Sequence, residues 1–431
     1  MIDFKLAKTM NINALFGEKG VCDCGSEHYL PPVEVYSFGG AVEDLREVVE
    51  RLCPIGKIGV VYDENVGIYA KELKEKLSDR SIEDILLPLS CPVSEEVLEK
   101  ITVPEDARII ISVGAGTASD YGKLVAKRLE VPYVMFLTAL SFDTIFESEV
   151  EIWRRFVLTK EKGAFPSAVF IDNDIIAEAP NEFFASGIAL AATEYMTVFD
   201  CYAREKFLNV KICPHMADML IYGVEKVLDS AEELKKGNKL ALERFVDGML
   251  KISAARAFLA VDLTDSSAAT LRALWLLYKN EGKVPEALYG EKKFEIFTKL
   301  VNVISLLYET KTVEETLPPD MDYRYDLLTE DLAIDEWAAY KITSQLVSPS
   351  AYLALKKRME ENRAYFADAA KEMRKMLPKE AGAFELFEEN YESEEKERLY
   401  KAMVCSTEVC GSFTTLTVMK YLGLLEKYDK K

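Results

Sequence analysis

The chain is short of histidine and of positive charge, and each shortage excludes a class of function. It has two histidines in 431 residues, so a metal centre built on several imidazole ligands has almost no donors available. Lys and Arg number 53 against 73 Asp and Glu, which gives a formal net charge of −20. Nucleic acids and anionic membranes are polyanions, so this charge argues against both as partners. A small phosphorylated ligand needs only a local positive site and is not excluded.

Long apolar runs are missing as well. No run approaches the roughly 18 residues of a membrane span, and the first five residues lack the apolar segment of a signal peptide. We therefore expect a cytoplasmic protein of two domains, or three at most. The 8 cysteines do not suggest a disulfide scaffold, and in a reducing compartment most should be free thiols. Six of them are expected to be small core residues: Cys53, Cys91, Cys201, Cys213, Cys405 and Cys410.

The most informative stretch that is present spans residues 109–124, IIISVGAGTASDYGKL. An apolar run ends in Gly114-Ala115-Gly116-Thr117, and a helical pattern starts at once. Glycines let backbone N–H groups approach a ligand, and a helix N-terminus carries a partial positive charge, so this turn is suited to a phosphate. The usual dinucleotide fingerprint needs a third glycine. A tight connection without any ligand therefore remains an alternative.

Strand and helix patterns alternate over the first 175 residues or so. This alternation predicts a parallel sheet with helices on both faces. In such sheets ligands bind beyond the carboxyl ends of the strands, where Asp63, Gly114 and Thr138 fall. The predicted strands are Val33–Phe38, Lys57–Tyr62, Arg108–Val113, Val131–Phe136 and Ala168–Ile171, with a short apolar segment at Ile85–Leu87.

From Pro180 onward the strand pattern disappears and long amphipathic stretches of period 3.6 predict helices. We expect an N-terminal arm at 1–32, an α/β domain at 33–178 and an all-helical domain at 179–431. Two acidic segments, 312–322 and 380–397, are interpreted as connectors. The predicted helices are Phe184–Lys206, Met216–Lys235, Lys239–Ala260, Ser266–Asn280, Lys292–Glu309, Ile334–Leu346, Ser350–Leu377 and Lys396–Leu422.

Three blocks, the glycine turn, residues 138–143 (TALSFD) and residues 166–172 (PSAVFID), stand in this order before the helical half. In this the chain resembles the dehydroquinate synthase-like superfamily, and within it sn-glycerol-1-phosphate dehydrogenase, with glycerol dehydrogenases and iron-containing alcohol dehydrogenases more distant. The resemblance covers roughly residues 33–310 and a short C-terminal piece at 412–416 and 422–424. It implies a Rossmann-like α/β domain, an all-helical domain and a cofactor cleft between them.

The resemblance also implies the cofactor, NAD or NADP. Family members hold its pyrophosphate at the positions of Gly114, Gly116 and Thr117 and contact it again at those of Thr138 and Ser141. An acid at the position of Asp63 accepts from the adenosine ribose and disfavours a 2′-phosphate, which favours NAD. A solvated acid at a strand end is the alternative for Asp63. The implied cofactor-binding residues are Asp63, Gly114, Gly116, Thr117, Asp120, Lys123, Thr138 and Ser141.

The chemical half of the site departs from the family pattern. These dehydrogenases hold a divalent metal by one Asp and two His, and the metal polarises the substrate carbonyl. The matching positions carry Leu190, Thr270 and Tyr289, and the two histidines of the chain, His28 and His215, lie elsewhere. No catalytic metal is therefore expected. A replacement Mg²⁺ or Mn²⁺ site with oxygen ligands from Glu194 and Asp143 is the alternative.

Two functions remain open at this point. The first is an NAD(P)-dependent oxidoreductase that acts on a small polyol phosphate or related carbonyl without the usual metal. Its candidate catalytic residues are Asp143, which would orient substrate hydroxyls, and Tyr289 and Lys292, which would stabilise the developing alkoxide, with Lys160 and Lys162 as further candidates. The second is a catalytically inactive paralogue that binds a nucleotide or phosphate as a sensor or scaffold. The family suggests a homodimer or larger homo-oligomer in either case.

A separate segment, residues 22–28 (CDCGSEH), carries Cys22, Cys24 and His28. These side chains could bind zinc, but a closed structural site needs a fourth ligand. Cys53 would provide it only if the fold brought it near. An ordinary N-terminal turn is the other interpretation. The second histidine, His215, is expected in a loop or at a helix start.

Overall fold

The computed structural model describes residues 2–89, 91–154, 157–259, 261, 263–283, 289–304, 321–343, 357, 393–421 and 425. The chain divides into two compact units. The first comprises Met1–Ala191 and Cys213–Ala260, and the second, which we call the helical unit, comprises Ala192–Ile212 and Val261–Lys431. The domain boundaries expected from the sequence stay a prediction.

A parallel six-stranded sheet forms the centre of the first unit. Its strand order is β3-β10-β7-β6-β4-β5, and every neighbouring pair runs parallel. A two-residue pair, β1 with β2, and an antiparallel hairpin, β8 with β9, lie outside this sheet. The strands are β1 Ile2–Asp3, β2 Gly20–Val21, β3 Glu34–Phe38, β4 Lys57–Tyr62, β5 Ile82–Leu86, β6 Ala107–Gly114, β7 Tyr133–Leu137, β8 Glu149–Arg154, β9 Val157–Lys162 and β10 Ala168–Asp172.

The central strands are mostly apolar, as expected for a parallel sheet whose two faces are both covered. Every residue of β7 and β10 is buried. One face of the sheet packs Ile109, Ile111 and Val113 of β6 against Phe136 of β7 and Phe170 of β10 in a single core cluster. The continuous apolar runs in the sequence therefore predicted the strands correctly.

In the described part of the chain, four helices lie between strands, and four more follow the last strand in the first unit and at its boundary. Two of these helices, α7 and α8, pack closely because glycines face each other: a Cβ at Gly223 would lie 2.7 Å from the Gly248 carbonyl oxygen. The division between the two units falls within α6, after Ala191. The helices are α1 Leu45–Leu52, α2 Gly67–Lys76, α3 Glu95–Lys100, α4 Gly116–Leu129, α5 Asn173–Ala177, α6 Asn181–Leu208, α7 Pro214–Leu234 and α8 Lys239–Leu259.

The described residues of the helical unit form helices and no strand. They are the end of α6, then α9 Ser266–Asn280, α10 Tyr289–Ile304, α11 Met321–Asp326 with a π-helical turn at Leu327–Asp331, α12 Glu336–Thr343, α13 Ser393–Cys410 and α14 Thr415–Tyr421. The predicted single helix Lys396–Leu422 is wrong. It is interrupted between α13 and α14 at Gly411, which has a left-handed φ of 65° that ends a helix. The predicted helix Ser350–Leu377 lies outside the described residues except for Lys357.

The expected fold class, a parallel-sheet domain followed by helices, is confirmed. The hairpin of β8 and β9 was not predicted. In β8 the alternation of buried apolar and charged residues is short, with Val150 and Ile152 as its buried positions. Among the described residues, no helix is long and apolar enough to cross a membrane.

Candidate functional site

Three strand ends bring the predicted cofactor residues to one edge of the sheet. Asp63 follows β4, Gly114 ends β6 and Thr138 follows β7, and β6 lies between the other two strands. The Thr138 amide donates to the Gly114 carbonyl over 3.1 Å. Because parallel strands end at the same edge, residues that are distant in the sequence lie along one edge here.

The turn between β6 and α4 requires glycine. Gly114 has a φ of 143°, and a Cβ there would lie 2.9 Å from the Ala118 Cβ. At Gly116, the first residue of α4, a Cβ would lie 3.4 Å from the Phe142 Cβ. The N-cap residue is Ala115, which makes no side-chain cap. The first turn of α4 thus presents backbone N–H groups and a partial positive charge without a capping carboxylate or hydroxyl at the N-cap, and Thr117 in this turn is exposed.

Asp63 shapes the neighbouring turn. It is the N-cap of a single 3₁₀ turn at Glu64–Val66, where its Oδ1 accepts from the Asn65 amide over 2.8 Å. The residue is half-buried, and so is Ser141, beyond the end of β7. Both predicted cofactor residues are therefore accessible at the edge of the sheet, and their contacts with a cofactor stay predictions.

The Lys123 side chain is not exposed at the turn, as direct binding of a phosphate would require. Its side chain is fully buried, and its ammonium group donates to Asp120 Oδ1 over 3.2 Å and to the Thr144 carbonyl over 2.8 Å. Burial raises the pKa of Asp120, and the ammonium of Lys123 opposes that rise. The pair holds α4 against the segment that follows β7. In this structure Lys123 positions the site, and direct binding of a phosphate by Lys123 stays a prediction.

The segment after β7 is fixed from a second side by α8. The guanidinium of Arg256 lies 3.3 Å from Asp143 Oδ2 and 3.1 Å from Glu147 Oε1, and the Phe146 amide donates to Ser253 Oγ over 3.2 Å. Burial raises the pKa of Glu147, and Arg256 opposes the rise. Asp143 is thus buried next to a cation, which suits a carboxylate with a fixed position.

The residues that the resemblance matches to the family's metal ligands carry none of the side chains that zinc or iron prefers, and the loss of the metal site stays a prediction. Leu190 is apolar and buried, and the Thr270 hydroxyl donates to the Ser266 carbonyl of its own helix over 2.8 Å. Tyr289 sets its ring edge-on to Trp275, with centroids 5.8 Å apart. None supplies a carboxylate, imidazole or thiolate, the donors these metals prefer.

A buried charged cluster in the helical unit was missed by sequence reasoning. Lys293 of α10 is 2% exposed, and its Nζ lies 2.8 Å from Asp265 Oδ2 and 3.9 Å from Glu194 Oε1. Asp265 is the N-cap of α9 and accepts from the amides of Ser267 (2.8 Å) and Ala268 (3.1 Å). The proposed cation ligand Glu194 therefore already faces an ammonium group, as Asp143 faces a guanidinium. Charged residues in apolar helical stretches were the signal that could have revealed the cluster.

Lys292, next to Lys293, also has acidic partners. Its Nζ lies 3.0 Å from Glu295 Oε2 and 3.3 Å from Glu395 Oε1, and it stands 6.0 Å from the centre of the Tyr278 ring. Burial opposes the charge of Lys292, but the two carboxylates outweigh it and raise its pKa. The side chain therefore stays protonated and can act as a positive charge, not as a base.

Comparison with known proteins finds sequence similarity in the part of the chain that holds the glycine turn. A family model described as iron-containing alcohol dehydrogenase matches residues 37–180, the segment that holds the sheet and the glycine turn. The glycerol-1-phosphate dehydrogenase [NAD(P)+] of Methanococcoides burtonii is 27% identical over 207 residues, 47% of this chain and 58% of the relative. The expected resemblance is confirmed. Over these residues the chain is similar in sequence to iron-containing alcohol dehydrogenases and to glycerol-1-phosphate dehydrogenases.

Solved structures show the same fold at low identity. Maleylacetate reductase from Agrobacterium tumefaciens aligns with a TM-score of 0.54 at 13% identity, over 93% of this chain and 97% of that one. An iron-containing alcohol dehydrogenase from Corynebacterium glutamicum aligns with a TM-score of 0.52 at 14% identity, over 93% and 95%. These similarities support the fold across most of the chain. The sequence match to the curated relative, by contrast, spans just over half of that relative's length.

Proposed function

We propose that this chain is an NAD(P)-dependent oxidoreductase that acts on the carbonyl of a small polyol phosphate or a related compound. The observation that carries the proposal is the turn between β6 and α4. Its left-handed Gly114 and the uncapped first turn of α4 form a binding surface for a pyrophosphate at the edge where sheets of this type bind ligands. The relatives, named as dehydrogenases that use NAD(P)+, support the same conclusion.

The preferred cofactor in this proposal is NAD. Asp63 stands at the end of β4, next to β6, and is half-buried. A carboxylate at this position accepts hydrogen bonds from the ribose hydroxyls and repels the 2′-phosphate of NADP. The net charge of −20 adds a weak general repulsion of the more highly charged cofactor.

The chemistry that the chain itself must supply is stabilisation of an alkoxide and delivery of a proton. A nicotinamide cofactor, when bound, supplies the hydride. We propose that the Tyr289 phenol donates a hydrogen bond to the substrate oxygen and that the Lys292 ammonium supplies positive charge, while Asp143 orients a substrate hydroxyl. Such donors take the place of a Lewis acid, and the side chains at the family's ligand positions do not fit a metal.

The experiment measures binding and turnover separately. NADH and NADPH are titrated into the purified chain by calorimetry, and oxidation of NADH is then followed with dihydroxyacetone phosphate as the trial substrate. We expect NADH to bind and turnover to fall about 10²–10³-fold in Tyr289→Phe and Lys292→Met, as for loss of one oxyanion donor. Lys299→Met, a lysine in the same helix α10, is the control and should keep its activity.

Each outcome has a defined meaning. Binding of NADH without turnover of any polyol phosphate would favour the inactive, nucleotide-binding paralogue. Failure to bind either NADH or NADPH would contradict the oxidoreductase. The predicted homo-oligomer and the predicted cytoplasmic location stay predictions and do not affect the outcome of this test.

A further inference from the structure

Four side-chain atoms that could bind a metal ion lie close together at the N-terminal arm. The sulfurs of Cys22, Cys24 and Cys213 and a ring nitrogen of His28 all lie within 4.8 Å of one another. Cys22 and Cys213 are 191 residues apart. Cys53, which could have been the fourth ligand only if the fold had brought it near, is not in this group; it is buried, and its thiol donates to the Ile55 carbonyl over 3.3 Å. Cys213, expected to be an ordinary core residue, takes its place.

We propose that Cys22, Cys24, His28 and Cys213 bind a structural zinc ion. Three thiolates and one imidazole are a frequent ligand set for closed, four-coordinate zinc. The proposal is independent of the proposed dehydrogenase activity, because none of these residues belongs to the sheet edge or to the family's metal positions.

The separations match the geometry of such a site. Zinc bonds of about 2.3 Å to sulfur and about 2.0 Å to nitrogen, arranged as a tetrahedron, place two sulfurs about 3.8 Å apart and a sulfur and a nitrogen about 3.5 Å apart. The Cys22 and Cys213 sulfurs are separated by 3.5 Å, and Cys24 Sγ lies 3.3 Å from His28 Nε2. Both values lie within a few tenths of an ångström of those a zinc ion would impose, and none of the three cysteines forms a disulfide.

His28 is held in the orientation that a ligand needs. Its Nδ1 lies 3.1 Å from the Phe258 carbonyl, an acceptor, so Nδ1 carries the proton and the Nε2 lone pair is directed toward Cys24. The ring is 3% exposed and packs edge-on against Phe4, with centroids 5.0 Å apart. A backbone carbonyl behind a histidine is the usual support for an imidazole that binds a metal.

The cysteines are held in a similar way. The Ser26 amide donates to Cys24 Sγ over 3.3 Å, and Gly25, with a φ of 81°, lets the chain turn between them. Cys213 is the N-cap residue of α7, so the start of this helix fixes the position of its sulfur. Both arrangements hold the sulfurs in place beside the His28 ring.

A zinc ion here would fasten the N-terminal arm to the start of α7. The arm also contacts α8 through Lys251, whose ammonium donates to the carbonyls of Ala7 and Met10. A cross-link between residues this distant in sequence removes much of the entropy of the unfolded chain. The expected role is therefore stabilisation of the arm.

A second possible metal site, formed by neighbouring residues, must be distinguished from the first. Cys22, Asp23 and His215 also converge. His215 Nε2 already lies 2.7 Å from Asp23 Oδ1, and Asp23 pairs with Lys5 over 2.8 Å. Asp23 and His215 therefore pair with each other beside the proposed zinc site. His215 lies in the first turn of α7, which agrees with its expected position at a helix start.

The test measures zinc in the full chain, produced without a histidine tag and kept reduced. We expect about one equivalent of tightly bound zinc in the wild type and in two controls, Cys53→Ser and His215→Gln. Cys24→Ser and Cys213→Ser should lose at least about five-fold in zinc content. A mercurial reagent that displaces thiolate-bound zinc should release it from the wild type and lower its melting temperature.

Cobalt reconstitution keeps the test valid where a variant fails to fold. The wild-type chain, stripped and refolded with Co²⁺ under reducing conditions, should show the visible absorption of tetrahedral cobalt with thiolate ligands. Absence of that absorption together with absence of zinc would overturn the proposal. So would zinc that remains in Cys24→Ser and Cys213→Ser, because the ion would then lie elsewhere, and zinc lost in His215→Gln but kept in Cys24→Ser would assign the second site.

Discussion

The helices α4 and α9 begin in opposite ways. At the edge of the sheet, α4 starts after Ala115 with no side-chain cap, next to a glycine with a left-handed φ. In the helical unit, α9 starts after Asp265, whose carboxylate accepts two backbone amides and also pairs with the buried ammonium of Lys293. The N-cap residue of α4 offers its first N–H groups no side-chain acceptor, whereas α9 has a carboxylate from its own chain there.

Two sets of polar side chains show a similar contrast. Lys293, Asp265 and Glu194 are almost fully excluded from solvent, and the ammonium of Lys293 pairs with both carboxylates. Asp63 and Ser141 at the sheet edge are half-buried. We infer that these two residues can reach a ligand, while the cluster around Lys293 contributes to stability.

The largest effect is expected from Lys293→Met. The substitution removes the ammonium and leaves the Asp265 and Glu194 carboxylates buried without it, which should cost about 3–5 kcal/mol in the free energy of unfolding. Urea denaturation measures this loss. Adding Asp265→Asn, which keeps the helix cap but removes a charge, should recover part of it. The exposed Lys236→Met is the control and should leave stability unchanged; an equally small effect of Lys293→Met would contradict the stabilising role of the cluster.

Gly114→Ala should act on stability and on binding together. The new Cβ would lie 2.9 Å from Ala118 in a backbone conformation that alanine rarely adopts, so we expect a loss of about 1–3 kcal/mol in stability. NADH affinity should fall at least about tenfold as the turn shifts. Gly67→Ala, at the start of α2 with open space around its Cβ, is the matched control. Unchanged NADH affinity in Gly114→Ala would contradict the role of this turn.

Asp63→Asn should change the choice of cofactor with little effect on the fold. Asparagine keeps the oxygen that accepts from Asn65, so the turn is retained while the charge is removed. We expect the ratio of the dissociation constants of NADPH and NADH to fall about tenfold, or about 1.4 kcal/mol. Asp79→Asn, an exposed partner of Arg46, is the control. A ratio that stays constant would show that Asp63 does not contact the ribose.

The smallest effect is expected in the pH dependence of stability, which should differ between two aspartates near β6, Asp120 and Asp106. Burial raises the pKa of Asp120, so the folded state holds this proton more tightly, and the contribution of Asp120 to stability is lost as pH rises from about 4. The hydrogen bond from Lys57 lowers the pKa of Asp106, so its contribution is lost as pH falls below about 4. Stability measured against pH in Asp120→Asn and Asp106→Asn should therefore differ from wild type with opposite slopes. Equal slopes would contradict the different burial of the two carboxyl groups.

The sequence predicted the sheet edge well because its signals are local. An apolar strand, a glycine turn and a helix start occupy sixteen consecutive residues, and a parallel sheet places the ends of its strands together. The same local reasoning was wrong where a single residue decides the outcome, as at Gly411, which divides the predicted last helix into α13 and α14.

The zinc ligands and the buried charged cluster could not be predicted fully, because both join distant parts of the chain. The segment at residues 22–28 revealed three ligands, but Cys213 becomes the fourth only through the packing of the arm against α7. Likewise, Glu194, Asp265 and Lys293 are each ordinary charged residues in the sequence. Only the packing of α6, α9 and α10 within the helical unit shows that the Lys293 ammonium pairs with both carboxylates.

The most direct test of the central claim is the metal dependence of NADH oxidation with dihydroxyacetone phosphate, measured in the wild type after chelation and after addition of Zn²⁺, Fe²⁺, Mn²⁺ or Mg²⁺. Cys24→Ser, assayed in parallel, separates any effect of the zinc ion proposed at the N-terminal arm. The account predicts that NADH binds and that the rate is the same with chelator and with each metal. A rate that is abolished by chelator and restored by one metal, in the wild type and in Cys24→Ser alike, would contradict it.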